Sequence, residues 1–266
     1  VKAGKSQAVL VLSSGERQFL DWGERSIEDG GMKISADSGR ISYDGKSLSG
    51  AGVQDAFHML EVPRGGEYFM TLEDGTKVWL NAATRLKYPV VFASGIRKVI
   101  LEGEAYFEVK RDEKHPFVVE TSELCTRVLG TEFNVRAYSR EDTHVTLLQG
   151  SVRVTDKVSA AEAVIRPGED AFLREDGSFE IKNVDTDSFY LWIEGYFYFD
   201  NESLAEIMRE LCRWYGVRVV FRDETFMHLR LHFLAERDLP VDNALKLLNM
   251  MGDMKITREG NTIFVD

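Results

Sequence analysis

The sequence predicts a protein that is mainly β plus α+β: an N-terminal all-β sandwich or short solenoid domain, followed by a small βαβ-βαβ domain. Three observations predict it. A Gly-centred turn between apolar runs recurs, so that "LSSGERQFLD" (12–21) lies under "LEDGTKVWLN" (72–81) without a gap, and "LREDGSFEI" (173–181) is a looser third copy. Up to about residue 184 apolar and polar residues alternate with the period of two that a half-buried strand requires. From Asp187 the period lengthens, and one strand–helix–strand plan occurs twice.

Residues 1–60 read as a variable hairpin segment. In it "MKISADSGRISY" (32–43) is a hairpin around Ser38-Gly39, and the Gly/Ser-rich "DGKSLSGAGVQDA" (44–56) is a loop. Residues 61–184 read as the all-β domain. In "GEAYFEV" (103–109) Ala105, Phe107 and Val109 share one face and Glu104, Tyr106 and Glu108 the other. In "VLGTEFNVRAY" (128–138) Leu129, Thr131, Phe133, Val135 and Ala137 line one face, opposite Glu132, Asn134 and Arg136. Further strands bend or join at Gln149-Gly150 and Pro167-Gly168, and no helix is predicted before residue 185.

Residues 185–195 form a connector, a short helix or turn with Phe189 and Trp192 facing inward, and 196–266 form the small domain. There Asp200 or Asn201 is expected to cap a helix with the stripe Leu204, Ile207, Met208, Leu211 and Tyr215, stopped by Gly216. The plan returns 36 residues on, from Phe197 to Phe233, with Ala244, Leu245, Leu247, Leu248 and Met251 on the second helix and Gly252 as its stop. A last hairpin turns at Glu259-Gly260-Asn261.

A length of 266 residues allows one large domain or two ordinary ones. The formal charge of −11, with no Lys/Arg run, argues against nucleic acid, whose phosphates need a basic face. No apolar run reaches the roughly 20 residues that cross a bilayer, and "VKAGKSQAVL" has no signal-peptide core, so any targeting or membrane segment is expected upstream. Cys125 and Cys212 lack metal-ligand spacing and read as two small buried hydrophobes.

No catalytic constellation is evident: there is no nucleophile elbow, phosphate-cradling loop or HExxH, so no enzyme activity and no cofactor is expected. "HLRLH" puts His228 and His232 on one strand face with Arg230, a cation that disfavours a metal. Glu102, Glu104 and Glu108 read as outward strand positions, and Asn81, Thr84 and Arg85 as turn caps rather than ligand groups. Tyr190, Trp192, Tyr196 and Tyr198 suggest either a sugar-stacking platform or core contacts at the junction. The open sheet of the small domain presents unpaired strand edges, which points to a protein that binds a protein.

Successive blocks then carry a resemblance: "LEDGTKVWLNAATRLKYP" (72–89), "LEGEAYFEV" (101–109), "PFVVET" (116–121), "VLGTEFNV" (128–135), "LLQGSVRV" (147–154), "RPGE" (166–169), "FDNESLAEIMRELCRWYGVRV" (199–219) and "ITREGNTIFVD". From about residue 62 to the end the chain resembles the extracytoplasmic part of a FecR-family anti-sigma factor, an all-β FecR domain followed by a secretin/TonB short N-terminal-like domain. The resemblance implies a periplasmic region behind a membrane helix and a cytoplasmic sigma-binding domain, neither of which is in this sequence. It implies a partner, the N-terminal signalling domain of a TonB-dependent transporter, and control of an extracytoplasmic-function sigma factor, with the β domain relaying contact toward the membrane. The expected contact surface is the polar strand face of His228, Arg230 and His232 and the helix positions Glu206, Arg209 and Arg213. The alternative is a periplasmic carbohydrate-binding module using Trp79 or Trp192.

Overall fold

The recurrent turn closes in one way three times. Leu12, Leu72 and Arg174 each donate their amide to the carbonyl four residues on (Glu16 2.9 Å, Thr76 2.8 Å, Ser178 2.9 Å). The carbonyls of Leu12, Leu72 and Arg174 in turn accept from the glycine between (Gly15 2.9 Å, Gly75 2.9 Å, Gly177 3.0 Å). The glycines hold φ of 86°, 88° and 83°, a region strained for any side chain. Asp74 and Asp176 each accept the amide two residues on at 2.9 Å, fixing the turn through a side chain. The turn after Met70-Thr71 is therefore scaffold.

The computed structural model describes residues 1–21, 23–37, 40–43, 56–92, 95–186, 189, 191–252 and 254–266. The predicted loop at 44–55, the turn residues Ser38-Gly39 and the connector position Tyr190 lie outside the described residues. Nineteen strands join into one curled sheet with two ladders. One ladder runs through Arg17–Leu20, Ala8–Val11, Phe57–Val62, Thr84–Pro89, Arg97–Glu108, Phe117–Glu120, Leu124–Val128, Val152–Asp156 and Glu162–Ile165. The other runs through Arg25–Asp29, Met32–Asp37, Arg40–Tyr43, Gly66–Thr71, Lys77–Leu80, Arg97–Glu108 again, Glu132–Ala137, Thr143–Gln149, Glu169–Leu173 and Phe179–Asn183. Arg97–Glu108 serves both because it bends at Gly103 (φ 106°), where a Cβ would lie 2.5 Å from Thr84 Oγ1.

Alternation sorts the side chains. Ala105, Phe107, Phe133 and Val135 point into a single core that also holds Leu10, Leu60, Leu86, Val99 and Val154 from the other ladder. Phe107 stacks on Phe133 with centroids 5.2 Å apart, the offset ring contact that packs aromatic cores. The predicted pattern does not hold throughout. Leu129 and Thr131 fall between strands rather than on one, and Leu129 is exposed.

The small domain begins with Tyr196–Ser203, antiparallel to Arg230–Glu236. Arg218–Phe221 runs parallel to Thr262–Val265, which pairs antiparallel with Ile256–Glu259. The two strand–helix–strand passes thus each split their strands between a two-stranded ribbon and a three-stranded sheet. Helix α1 is Leu204–Tyr215 and helix α2 is Val241–Leu248. Ser203, not Asp200 or Asn201, caps α1 by accepting the Glu206 amide at 3.2 Å, because the strand continues to Ser203 through an irregularity at Asp200-Asn201. Gly216 ends α1 in the left-handed region (φ 65°) as expected. α2 stops earlier than Gly252: Asn249 caps it, its side chain bonding Ile256 N and O at 2.7 and 2.8 Å. Met251 therefore lies beyond the helix and Leu247 falls on its outer face; both, expected in the apolar stripe, are exposed.

The chain divides into two units. One is Ser6–Pro63 with Glu67–Thr186, the β domain; the other, the small unit, is Asp187–Asp266 together with Val1–Lys5 and Arg64–Gly66. A cut by sequence position alone separates those two short pieces from the unit they pack in.

Candidate partner-binding surface

The ribbon of the small unit has two faces by strand alternation. Phe197, Leu231, Phe233 and Ala235 are buried with Leu204, Ile207, Met208 and Leu211 of α1 and Ala244 and Leu245 of α2. Phe197 meets the ring of Tyr215 at 6.0 Å. Arg230, His232, Leu234 and Glu236 therefore point outward, opposite the helices. Across the ribbon Tyr196 pairs with Glu236 and Tyr198 with Leu234. The irregular strand folds Asp200 Oδ1 to 2.5 Å from His232 Nδ1. Leu234 is 57% exposed in the middle of this polar row, an apolar centre flanked by His232 and Glu236 and faced by Tyr198 across the ribbon.

The predicted contact residues do not form one patch. Arg230 and His232 share the outward ribbon face. His228 is exposed but ends the 3-10 helix Glu224–His228, so it lies off the strand and away from His232's face. Glu206 and Arg209 pair on the flank of α1, on the other side of the inner core. Arg213 is only 8% exposed, its guanidinium held by Glu210 Oε2 at 2.8 and 3.1 Å, so it is withdrawn from any surface. Tyr196, Tyr198 and Leu234 were missed, although Leu234 has the same phase as Arg230 and His232. Met250, 74% exposed, lies just after α2 with exposed Leu247 and Met251.

Elsewhere the polar residues are engaged. Glu104, read as outward, is 5% exposed and accepts from Asn81 Nδ2 at 2.9 Å and Asn134 Nδ2 at 3.1 Å. Asn81 Oδ1 accepts the Ala82 amide at 2.8 Å, and Thr84 Oγ1 accepts the Glu104 amide at 3.0 Å, so both serve the turn and the strand bend. Glu102 faces Arg85 at 3.4 Å and Glu108 pairs with Lys77 at 2.5 Å. A chain of hydrogen bonds runs from exposed Ser13 through Asp29, His58 and Tyr43 to buried Tyr88. Ser13 Oγ donates to Asp29 Oδ2 at 2.5 Å rather than to the imidazole, an order that does not activate a nucleophile.

Trp79 is half-buried between Phe69 and Tyr106 (4.7 and 5.5 Å), and Trp192 faces the Arg237 guanidinium at 5.6 Å, so neither ring is laid out as a sugar platform. Burial pushes the Cys212 thiol up to about 11, and burial, then Glu120, raises that of Cys125; neither free cysteine presents a thiolate near neutrality. Among the described residues no group of three His, Cys, Asp or Glu could hold a metal, and no helix is long and apolar enough to cross a membrane.

Comparison with known proteins agrees with this architecture. Residues 58–153 match the family model "FecR protein" and residues 196–265 the model "FecR, C-terminal". A 1.65 Å crystal structure of a protein from Parabacteroides distasonis ATCC 8503, assigned as an anti-sigma factor, superposes with a TM-score of 0.72 at 30% identity, over 78% of this chain and 98% of that one. A 2.50 Å structure with the same assignment and source gives 0.72 at 29%, over 79% and 98%. No curated protein matches the sequence.

Proposed function

Because this chain belongs to the FecR family of anti-sigma factors, we propose that it is the periplasmic signal-sensing region of a transmembrane anti-sigma factor. It receives its signal from the N-terminal signalling domain of a TonB-dependent outer-membrane transporter. It controls release of an extracytoplasmic-function sigma factor, which is bound by a cytoplasmic domain outside these 266 residues. The chemistry is contact, not catalysis.

The observation that carries the reading is the outward ribbon face. An exposed apolar centre, Leu234, with tyrosines across the ribbon and the His232–Asp200 pair beside it, suits a protein partner better than a small ligand. The flank of α1, where Arg209 is already paired to Glu206, ranks second.

Calorimetry between the full chain and that signalling domain tests this. One-to-one binding at micromolar affinity or tighter is expected. Leu234→Asp combined with Arg230→Glu weakens it by at least about tenfold, while Arg209→Glu changes it little. No heat and no co-migration would remove the transporter as partner, and oligosaccharide titration would then decide for the carbohydrate-binding alternative.

A further inference from the structure

The small unit contains a piece of chain that sequence order does not place there. Residues 1–5 lie across it. Val1 O accepts the amide of Val241 at the start of α2 (3.1 Å), and Lys5 donates to Gly65 O (3.0 Å). Gly65 in turn donates to Arg213 O in the last turn of α1 (2.9 Å), and Val1 and Ala3 pack on the core. Gly4 lies flat on the indole of Trp214: a Cβ there would fall 2.8 to 2.9 Å from three ring carbons, so nothing larger than glycine fits without displacement.

Trp214 is itself held from one direction. Its Nε1 donates to Arg237 O at 2.7 Å, and the Arg237 guanidinium carbon stands 4.0 Å from the Trp214 ring and 5.1 Å from that of Phe197. Arg237 is 2% exposed, and its amide donates to Gly195 O at 2.8 Å. It immediately follows Arg230–Glu236, the strand that carries the candidate docking face. An unbroken run of contacts therefore leads from the ribbon to Arg237, to Trp214, to the backbone of Gly4.

We propose that residues 1–5 are a strap clasped by the small unit, and that occupancy of the ribbon face is passed to this strap through Arg237 and Trp214 without crossing the β domain. The second half rests on the proposed function. The physical basis is the absence of slack. A close-packed seat has discrete arrangements rather than a continuous range. Gly4 on Trp214 is such a seat, and few hydrogen bonds hold the strap besides it. A shift of the Arg237 side chain re-aims the indole, and the strap either follows or lets go. The route lies within the small unit alone, whereas the β domain was expected from the sequence to relay contact toward the membrane.

Hydrogen exchange at short labelling times on the full 266-residue chain tests the strap. Gly4→Leu is expected to speed exchange of residues 1–5 by about tenfold or more, as local opening does, with α1 and the β-domain strands still protected. Arg237→Met is expected to release the same residues, which Arg237 reaches through Trp214. Arg237→Lys, which keeps the charge and loses the planar stack, serves the same purpose if the Met variant fails to fold. Unchanged exchange of residues 1–5 in Gly4→Leu overturns the strap, and unchanged exchange in the Arg237 variants overturns the route. Saturating transporter signalling domain is expected to alter exchange at residues 1–5 in the unmodified chain and not in Arg237→Lys. If that domain binds without altering it, the relay is wrong; if it does not bind, the relay falls with the proposed function, and the partner-free comparisons still judge the strap.

Discussion

In the β domain an amide that closes a hairpin finds its acceptor four residues away, at Leu12, Leu72 and Arg174 alike. In the small unit the amide of Gly65 finds its acceptor at Arg213, and the ring of Trp214 finds its floor at Gly4. The first kind of closure is repeated and local, so each copy carries a small share of the stability. The second is made once, from distant pieces, and concentrates its energy in few side chains. Loop-closure entropy sharpens the contrast, since joining distant residues costs more than closing a four-residue turn.

The largest effect should therefore come from the residue where the distant pieces meet. Trp214→Ala removes the seat of Gly4, the ring under Arg237 and the hydrogen bond to Arg237 O, and leaves a cavity in the small-unit core. A loss of about 3–5 kcal/mol is expected for a buried Trp truncated to Ala. Urea unfolding followed by exchange of the α1 amides measures it. A loss below about 1 kcal/mol, the scale of a surface change, would show that the small unit does not depend on this meeting point, and the contrast would break.

A smaller effect tests whether the β domain has a non-local centre of its own. Glu104 reaches Asn81, just past the strand Lys77–Leu80, and Asn134 on another strand, and is nearly fully buried. Glu104→Ala takes the acceptor from Asn134 Nδ2 inside the protein, which should cost about 1–3 kcal/mol, the desolvation of a buried donor. Glu104→Gln should recover part of it. Denaturation midpoints for the pair decide; equal stability of the Ala variant and the parent would make the carboxylate incidental.

What was legible follows the same division. The three turns could be read from "SSGE", "EDGT" and "EDGS" because a glycine at positive φ and a side-chain acceptor two residues before the closing amide are local requirements. Strand faces were legible wherever alternation persisted, as in 230–233. Glu104 was misread because its burial depends on Asn81, just past one strand, and Asn134 on another. The cap of α1 was missed because alternation cannot reveal that Tyr196–Ser203 runs on past Asp200. Arg213 was placed on the surface because its spacing from Arg209 suits an exposed stripe, yet Glu210 on the same helix draws it in. Nothing in "VKAGK" announces that Gly4 will lie on Trp214.

The last prediction concerns a buried network built from four strands and a turn, intermediate between the two kinds of closure. Asp29 accepts from Ser13 N (2.9 Å) and stands 3.0 Å from His58 Nε2. His58 Nδ1 meets Tyr43 OH at 2.8 Å, and Tyr43 OH meets Tyr88 OH at 2.7 Å. Burial lowers the His58 pKa from the usual 6.5, and the bond and charge of Asp29 oppose this without reversing it. Burial alone would raise the Asp29 carboxyl, but its bonds to Ser13 and His58 hold it below 3.8. Tyr43 is raised by burial and by Tyr88; Tyr88 is raised by burial and by Tyr68, itself pushed up to about 12, against a lowering hydrogen bond from Tyr43, so all three stay neutral near neutrality. In the unfolded chain His58 takes up its proton at the ordinary value; in the fold it resists until a lower pH. The unfolded state then binds more protons, so stability is full above 6.5 and declines as pH falls from there through the folded value. The slope from this group cannot exceed about 1.4 kcal/mol per pH unit. His58→Gln, which can still donate to Asp29 but does not titrate, should flatten the loss of stability as pH falls below about 6.5 relative to the parent. An identical slope in both proteins would place the acid sensitivity elsewhere and leave this network a purely structural closure.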